Sequence, residues 1–205
     1  MAKRIKRIGV TGGIGTGKTT VCNFLRALGC EIFSADIEAK RLQEIDPDVV
    51  AGIKNIFGKG IYENAIPNRK RIAEIIFHDE EKLVQLNALI HPKIFRAFDE
   101  AARRAEAEGK QMIAKEAAIL FESGGEKGLD AVLVVAADLD IRMARLKARG
   151  LSEADIRARM SRQFPQDELL KRADVVIWNN HSLDLLEAET KRAYLELLAL
   201  PYRNS

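Results

Sequence analysis

Gly12-Gly13-Ile14-Gly15-Thr16-Gly17-Lys18-Thr19 is the stretch on which the fold turns. It fits the phosphate-binding loop pattern G-x-x-x-x-G-K-[ST] at every position. Its flanks fit as well. Ile5 to Val10 is apolar with strand character, and Thr20 to Leu28 has helical spacing. Glycines let the backbone curl so that several N–H groups converge on one anion. The helix beginning near Gly17 adds the positive end of its dipole. Lys18 supplies a mobile charge for the outer phosphates, and the Thr19 hydroxyl is a magnesium ligand. The alternative is a glycine-rich turn without a ligand. The agreement of pattern, strand and helix argues against it.

Working outward, four more apolar runs read as strands: Cys30–Ser34, Gln111–Lys115, Ala131–Ala137 and Asp174–Trp178. None alternates, which is the signature of strands covered on both faces in a parallel sheet. Strand, loop, helix and strand at the start form a βαβ unit with a right-handed crossover. From Ile37 to Lys110 no strand is predicted. Helical stretches are expected at Ile37–Ile45, Asp48–Phe57, Arg69–Phe77, Glu80–Leu89 and Pro92–Glu108, with breaks at Pro47, Gly58 to Gly60, Pro67 and Pro92. Asp138 to Lys171 is rich in arginine and glutamate and reads as a charged helical hairpin, interrupted at Gly150 and Pro165. Leu183–Leu198 reads as a closing amphipathic helix ended by Pro201.

Bulk properties narrow the classes. The 205 residues are 47% hydrophobic and 31% charged, an ordinary balance for one globular unit with insertions. A net charge of +3 is too small to imply a nucleic-acid partner, and 6% aromatics leave little for base stacking. A mildly basic chain still suits a small polyanion. No run of about 18 apolar residues exists, so no membrane span is expected. The basic start from Met1 to Arg7 leads straight into the loop, which argues against a signal peptide and for the cytoplasm. Cys22 and Cys30 lack metal-ligand spacing and read as buried free thiols.

Phosphoryl transfer also needs a base near the acceptor and cations over the moving group. Asp36 follows the second strand at the carboxyl edge, where ligands bind in open parallel sheets. It is either that base or an N-cap of the next helix. Glu116 ends the third strand on the same edge. It either orients a magnesium water or acceptor, or pairs structurally with Lys115 or an arginine. Arg145 and Arg149 share a helix face, and Arg157, Arg159 and Arg162 follow. Arginine forks suit phosphate, yet such a run is often a solvated face paired with Glu153, Asp155 and Asp167. Arg142, three positions before Arg145, is expected to lie off the functional set and to serve as a silent control. His91 opens a helix in the insertion. Asn179 and Asn180 follow the last strand, either near a nucleobase or as a turn. His78 and His181 have no assigned role.

These segments together resemble the dephospho-coenzyme A kinase family. Gly9 to Thr19, including Thr11, resembles its phosphate loop, and Ser34-Ala-Asp36 its acidic motif. Leu86-Asn-Ala-Leu-Ile-His-Pro92 is similar to a specific family signature. Ala118-Ile-Leu-Phe-Glu122, Arg145 to Arg149, Arg159-Met-Ser-Arg-Gln163 and Val176-Ile-Trp-Asn179 resemble later segments, in order along nearly the whole chain. Two positions depart. Glu116 and Ala118 stand where the family often has aspartate and proline, and His181 where glycine is common.

The resemblance implies a three-layer P-loop NTPase fold with a five-stranded parallel sheet. Its core would be 1–36, 111–137 and 172–205, with a helical substrate-binding insertion over 37–110 and a helical lid over 138–171. It implies ATP-dependent phosphorylation of the ribose 3′-hydroxyl of dephospho-coenzyme A with Mg2+, by a monomer or weak homo-oligomer. ATP would be held by Gly13, Ile14, Gly15, Thr16, Gly17, Lys18, Thr19, Thr20 and Asn179, with Thr19 on the metal. Thr11, Asp36, His91 and Glu116 would hold the acceptor. Asp36, Lys18 and Arg149 would be catalytic, with Arg149 on the inner face of a mobile helix and Arg145 and Arg159 assisting. Another nucleoside or nucleotide kinase would share the same loop and lid physics. A regulatory GTPase would need an N-K-x-D motif, which the sequence lacks.

Overall fold

The computed structural model describes residues 4–203, so Met1 to Lys3 of the basic start lie outside the described residues. Five strands form a parallel sheet: β1 (Lys6–Thr11), β2 (Glu31–Ser34), β5 (Met112–Glu116), β6 (Ala131–Ala136) and β7 (Val175–Trp178), in the order β2-β5-β1-β6-β7. All five fall on the apolar runs read from the sequence. The register sets Val10 beside Glu116 and Ser34 beside Glu116, so β1, β5 and β2 end together at their carboxyl edge.

The absence of alternation has its physical cause in two covered faces. On one, Ile8, Val10, Met112, Ala114, Leu133, Val135 and Ile177 pack with Val21, Cys22 and Leu25 of α1 (Lys18–Ala27). Leu186, Ala193 and Leu197 of α9 (Leu183–Ala199) join the same cluster. On the other, Leu120 and Leu129 press so closely on Gly9 that a Cβ there would come within 2.6 Å of Leu120. Burying a Leu- or Val-sized side chain stabilises by about 1.5–3 kcal/mol, so both faces contribute to the fold.

The described chain divides into two compact units, residues 35–100 and the remainder. The smaller contains α2 (Ala35–Ile45), α3 (Pro47–Phe57), a 3-10 turn at Lys59–Ile61, the short strands β3 (Tyr62–Glu63) and β4 (Ile66–Pro67), and α4 (Arg69–His78). It also holds most of α5 (Glu80–Ala107). Asp46 caps α3, accepting from the N–H groups of Asp48 and Val49, as short polar side chains do at helix starts.

Two expectations for this stretch fail. First, β3 and β4 form a small antiparallel pair. Two-residue strands are too short for any periodicity to announce. Second, Pro92 breaks nothing: α5 runs through it as one helix of 28 residues. Proline costs that helix one hydrogen bond. Burial of Leu86, Ile90, Ile94 and Phe98, four apart along one stripe, continues on both sides and offsets that loss.

The charged run is not a hairpin but three helices: α6 (Leu139–Ala148), α7 (Glu153–Met160) and α8 (Gln166–Lys171). The breaks at Gly150 and Pro165 stand where the sequence put them. Ser152 caps α7 by accepting from the Asp155 N–H.

Candidate active site

The loop between β1 and α1 curls around its own backbone. Gly17 is the N-cap of α1 at φ 96, a left-handed conformation that costs glycine nothing. A Cβ there would also lie 2.3 Å from the Asn179 amide nitrogen. Gly12, at φ 149, approaches the Val135 carbonyl so closely that a Cβ would sit 2.1 Å from its oxygen. The glycines are thus required both by dihedral angle and by crowding. The Thr16 hydroxyl donates to the Gly13 carbonyl at 2.9 Å, fixing the turn internally. The Lys18 ammonium folds back over the loop and donates to the Gly12 carbonyl at 2.7 Å.

Thr11, the last residue of β1, is fully buried, and its hydroxyl has no hydrogen-bond partner in the structure. Buried polar atoms are rarely left so. The Thr19 hydroxyl faces the Glu116 carboxylate, Oγ1 to Oε1 at 3.4 Å. Two hard oxygen donors on one edge suit a magnesium ion, which prefers oxygen ligands and takes few of them from protein.

Asn179 is buried rather than displayed in a turn. Its Nδ2 donates to the Thr16 carbonyl at 2.8 Å, and its Oδ1 accepts from Arg145 at 3.2 Å. Gly17, Thr20, Arg145, Arg149, Asn179 and His181 line one open cleft of about 250 Å³. A second cleft of similar size brings Lys18 and Ile14 together with Arg159, Arg162 and Gln163. The arginines therefore divide. Arg145 and Arg149 line the cleft beside Asn179, while Arg159 and Arg162 share a cleft with the phosphate-loop lysine. Arg149 is exposed at the C-cap of α6.

Arg142 overturns its assignment as a silent control. It is buried, and its Nε donates to the Ile14 carbonyl at 2.9 Å, with its guanidinium packed on Gly13. Burial lowers its pKa from the usual guanidinium value. Its spacing of three from Arg145 puts both on one helix face, but only folding brings the Ile14 carbonyl to Arg142. Glu122 and Gln163, quoted only inside motifs, also prove to be anchors. Glu122 accepts from the Phe164 N–H at 2.7 Å.

In the smaller unit Asp36 is exposed in the first turn of α2. The helix starts at Ala35, so Asp36 lies inside it and is not its N-cap. With Lys40, Arg69, Ile72, Ile76 and Leu86 it lines a cleft of about 340 Å³ within that unit, with both cationic and apolar residues in its lining. His91 is half-buried on α5, its pKa lowered by burial. Cys22 and Cys30 are free and buried, as read from the sequence. Burial pushes the Cys22 thiol up to about 12, too high for reactivity at neutral pH.

A phosphate loop at the carboxyl edge of a five-stranded parallel sheet, with lysine, threonine and arginines gathered around it, defines a P-loop nucleotide-dependent phosphotransferase. The sequence model of the dephospho-CoA kinase family matches residues 6–184. A dephospho-CoA kinase of Chlorobaculum tepidum is 47% identical over 198 residues, 94% of this chain and 95% of that one. The chain belongs to the dephospho-CoA kinase family. Its fold is similar to the crystal structure of TT1252 from Thermus thermophilus, with a TM-score of 0.83 at 36% identity, over 95% of this chain and 99% of that one. It is also similar to dephospho-CoA kinase from Campylobacter jejuni, with a TM-score of 0.67 at 26% identity, over 93% and 96%.

Proposed function

We propose that this chain transfers the γ-phosphoryl group of ATP to the ribose 3′-hydroxyl of dephospho-coenzyme A, giving coenzyme A and ADP. The observation that carries this reading is the family match across residues 6–184, which includes Lys18, Asn179 and the arginines that line the two clefts at the phosphate loop. The loop amides from Gly13 to Thr20 hold the phosphates at the N-terminus of α1. Lys18 leaves its loop carbonyl for the transferring phosphate. Thr19 and Glu116 would hold Mg2+, which would neutralise phosphate charge when bound. Asp36 accepts the proton of the acceptor hydroxyl, and its exposed place in the cleft with Lys40 and Arg69 supports that role.

Asn179 fixes the floor of the loop, and Arg145 and Arg149 face the nucleotide from the cleft beside it. Arg159 and Arg162, in the cleft with Lys18, supply cations to the moving phosphoryl group, with α6 to α8 acting as the lid. Thr11 and His91 complete the acceptor set, and residues 37–110 act as the substrate-binding insertion. Among the described residues no helix is long and apolar enough to cross a membrane. The reading places the enzyme in the cytoplasm as a monomer or weak homo-oligomer.

The test is ATP turnover with dephospho-coenzyme A against adenosine, AMP and pantothenate. Turnover confined to dephospho-coenzyme A is expected. Preference for AMP or adenosine would move the chain to the nucleotide kinases that share its loop.

A further inference from the structure

The segment between α7 and α8 is held by one side chain that touches two distant parts of the site. Gln163 Oε1 accepts the Ile14 N–H at the apex of the phosphate loop, at 2.8 Å. Its Nε2 donates to the Ala118 carbonyl at 2.7 Å, two residues beyond Glu116. The chemistry fixes the amide's orientation, because Ile14 offers only a donor and Ala118 only an acceptor. Neither a carboxylate nor an apolar side chain satisfies both. The next residue is held as well: the Phe164 N–H donates to Glu122, and the Arg172 guanidinium lies 4.9 Å from the Phe164 ring and 5.7 Å from that of Phe121. Gln163 itself lines the cleft that contains Lys18, Arg159 and Arg162.

We propose that Gln163 is a positioning residue that ties the phosphate-loop apex to the loop after β5 and so sets where Arg159 stands relative to Lys18. This rests on the phosphotransferase reading above and adds to it the element that registers the lid against the loop. The two hydrogen bonds join segments 45 and 149 residues away in sequence. Among the described residues no backbone hydrogen bond joins α7 to the phosphate loop or to the loop after β5. Without the amide, the segment carrying both arginines keeps Glu122 and the Arg172 stack but loses its registration on Ile14. Arg159 would then be displaced without the fold being lost. A misplacement of about 1 Å at such a site costs on the order of 10²-fold in rate.

The experiment compares Gln163→Met, Gln163→Glu, Arg159→Ala and the double variant Gln163→Met/Arg159→Ala. Each is assayed on whichever acceptor the wild-type enzyme phosphorylates, so failure of the dephospho-coenzyme A reading leaves this test intact. The methionine variant keeps size without hydrogen bonding. The glutamate variant keeps the acceptor for Ile14 and sets a carboxylate oxygen against the Ala118 carbonyl. Both are expected to lower kcat roughly 10-fold to 100-fold, to change the KM for ATP by less than about 3-fold, and to leave the melting temperature within a few degrees. The double variant is expected to be no slower than Arg159→Ala alone, because the amide acts through the arginine. Wild-type kcat in both Gln163 variants would overturn the proposal. So would full additivity with Arg159→Ala, or a loss of activity that follows a matching loss of stability.

Discussion

The phosphate loop of the larger unit and the helices of the smaller unit hold their polar groups in different ways. In the larger, the loop is fixed by partners far away in the chain: Arg142 on Ile14, Gln163 on Ile14, and Asn179 on Thr16, from 128 to 163 residues apart. In the smaller, the pairs are nearer in sequence and closer to solvent. Arg41 holds Glu38 one turn away, Arg69 reaches Glu44, and Lys93 bridges Asp46 and Asp48. Exposed ion pairs contribute little, about 0–1 kcal/mol. The phosphate cradle is therefore preorganised by long-range contacts, as electrostatic catalysis requires. The unit assigned to the acceptor is organised by its helices and their caps.

The largest effect expected on this contrast comes from the smaller unit's one proposed catalytic group. Asp36→Asn should lower kcat by about 10²-fold to 10⁴-fold, the range for a positioned base, with little change in ATP affinity. Because Asp36 does not cap α2, stability should hold. A fully active variant would remove the base assignment. Lys18→Ala should cost roughly 10²-fold or more in kcat. Its unfolding midpoint should stay near wild type, because the ammonium donates to the loop carbonyls at Gly12 and Gly13. Normal turnover would exclude the loop as the catalytic cradle.

Arg142→Ala against Arg157→Ala tests the contrast directly within one charged run. Arg142 donates to the loop from a buried position, and hydrogen bonds of charged groups are worth about 1.5–3 kcal/mol. Its loss should lower stability by about that amount and slow turnover as well. Among the described residues, Arg157 pairs with Glu153 on its own helix, exposed. Its loss should cost about 0.3–0.5 kcal/mol and leave activity unchanged. Denaturant titration and initial rates on both variants decide it. Equal effects would mean that the long-range contact is no more than surface packing.

His91 gives a pH signature for the smaller unit. Its folded pKa lies below its ordinary 6.5 because burial disfavours the charged form. Below pH 6.5 the unfolded chain binds the proton first, so stability falls as pH drops through 6.5 and flattens once the folded group protonates. Denaturation midpoints between pH 8 and pH 5 should show this slope, and His91→Gln should reduce it. An unchanged slope would assign the dependence to other groups. A comparably small effect is expected at the turn between β3 and β4, where Ala65 stands at φ 66. Left-handed conformation costs a non-glycine residue about 1–2 kcal/mol, and glycine returns part of that as chain entropy. Ala65→Gly should raise stability by roughly 0.5 kcal/mol without touching kinetics. A lower melting temperature would show that the turn is not under strain.

The sequence by itself determined the sheet, the phosphate loop and the family. Strands buried on both faces must be continuously apolar, and a loop that wraps phosphate must have glycine where a Cβ would collide with backbone. Both constraints are written locally, residue by residue. Periodicity also found most helices, and it failed at Pro92, where a rule about local hydrogen bonding met a buried stripe that outweighed it. What only the tertiary structure decided is which polar residues serve the site. Arg142 and Arg157 look alike in a run of charges, and Gln163 and Asn179 look like members of any turn. Their roles come from the carbonyls and amides that folding brings to them across more than a hundred residues, and no spacing along the chain encodes that distance.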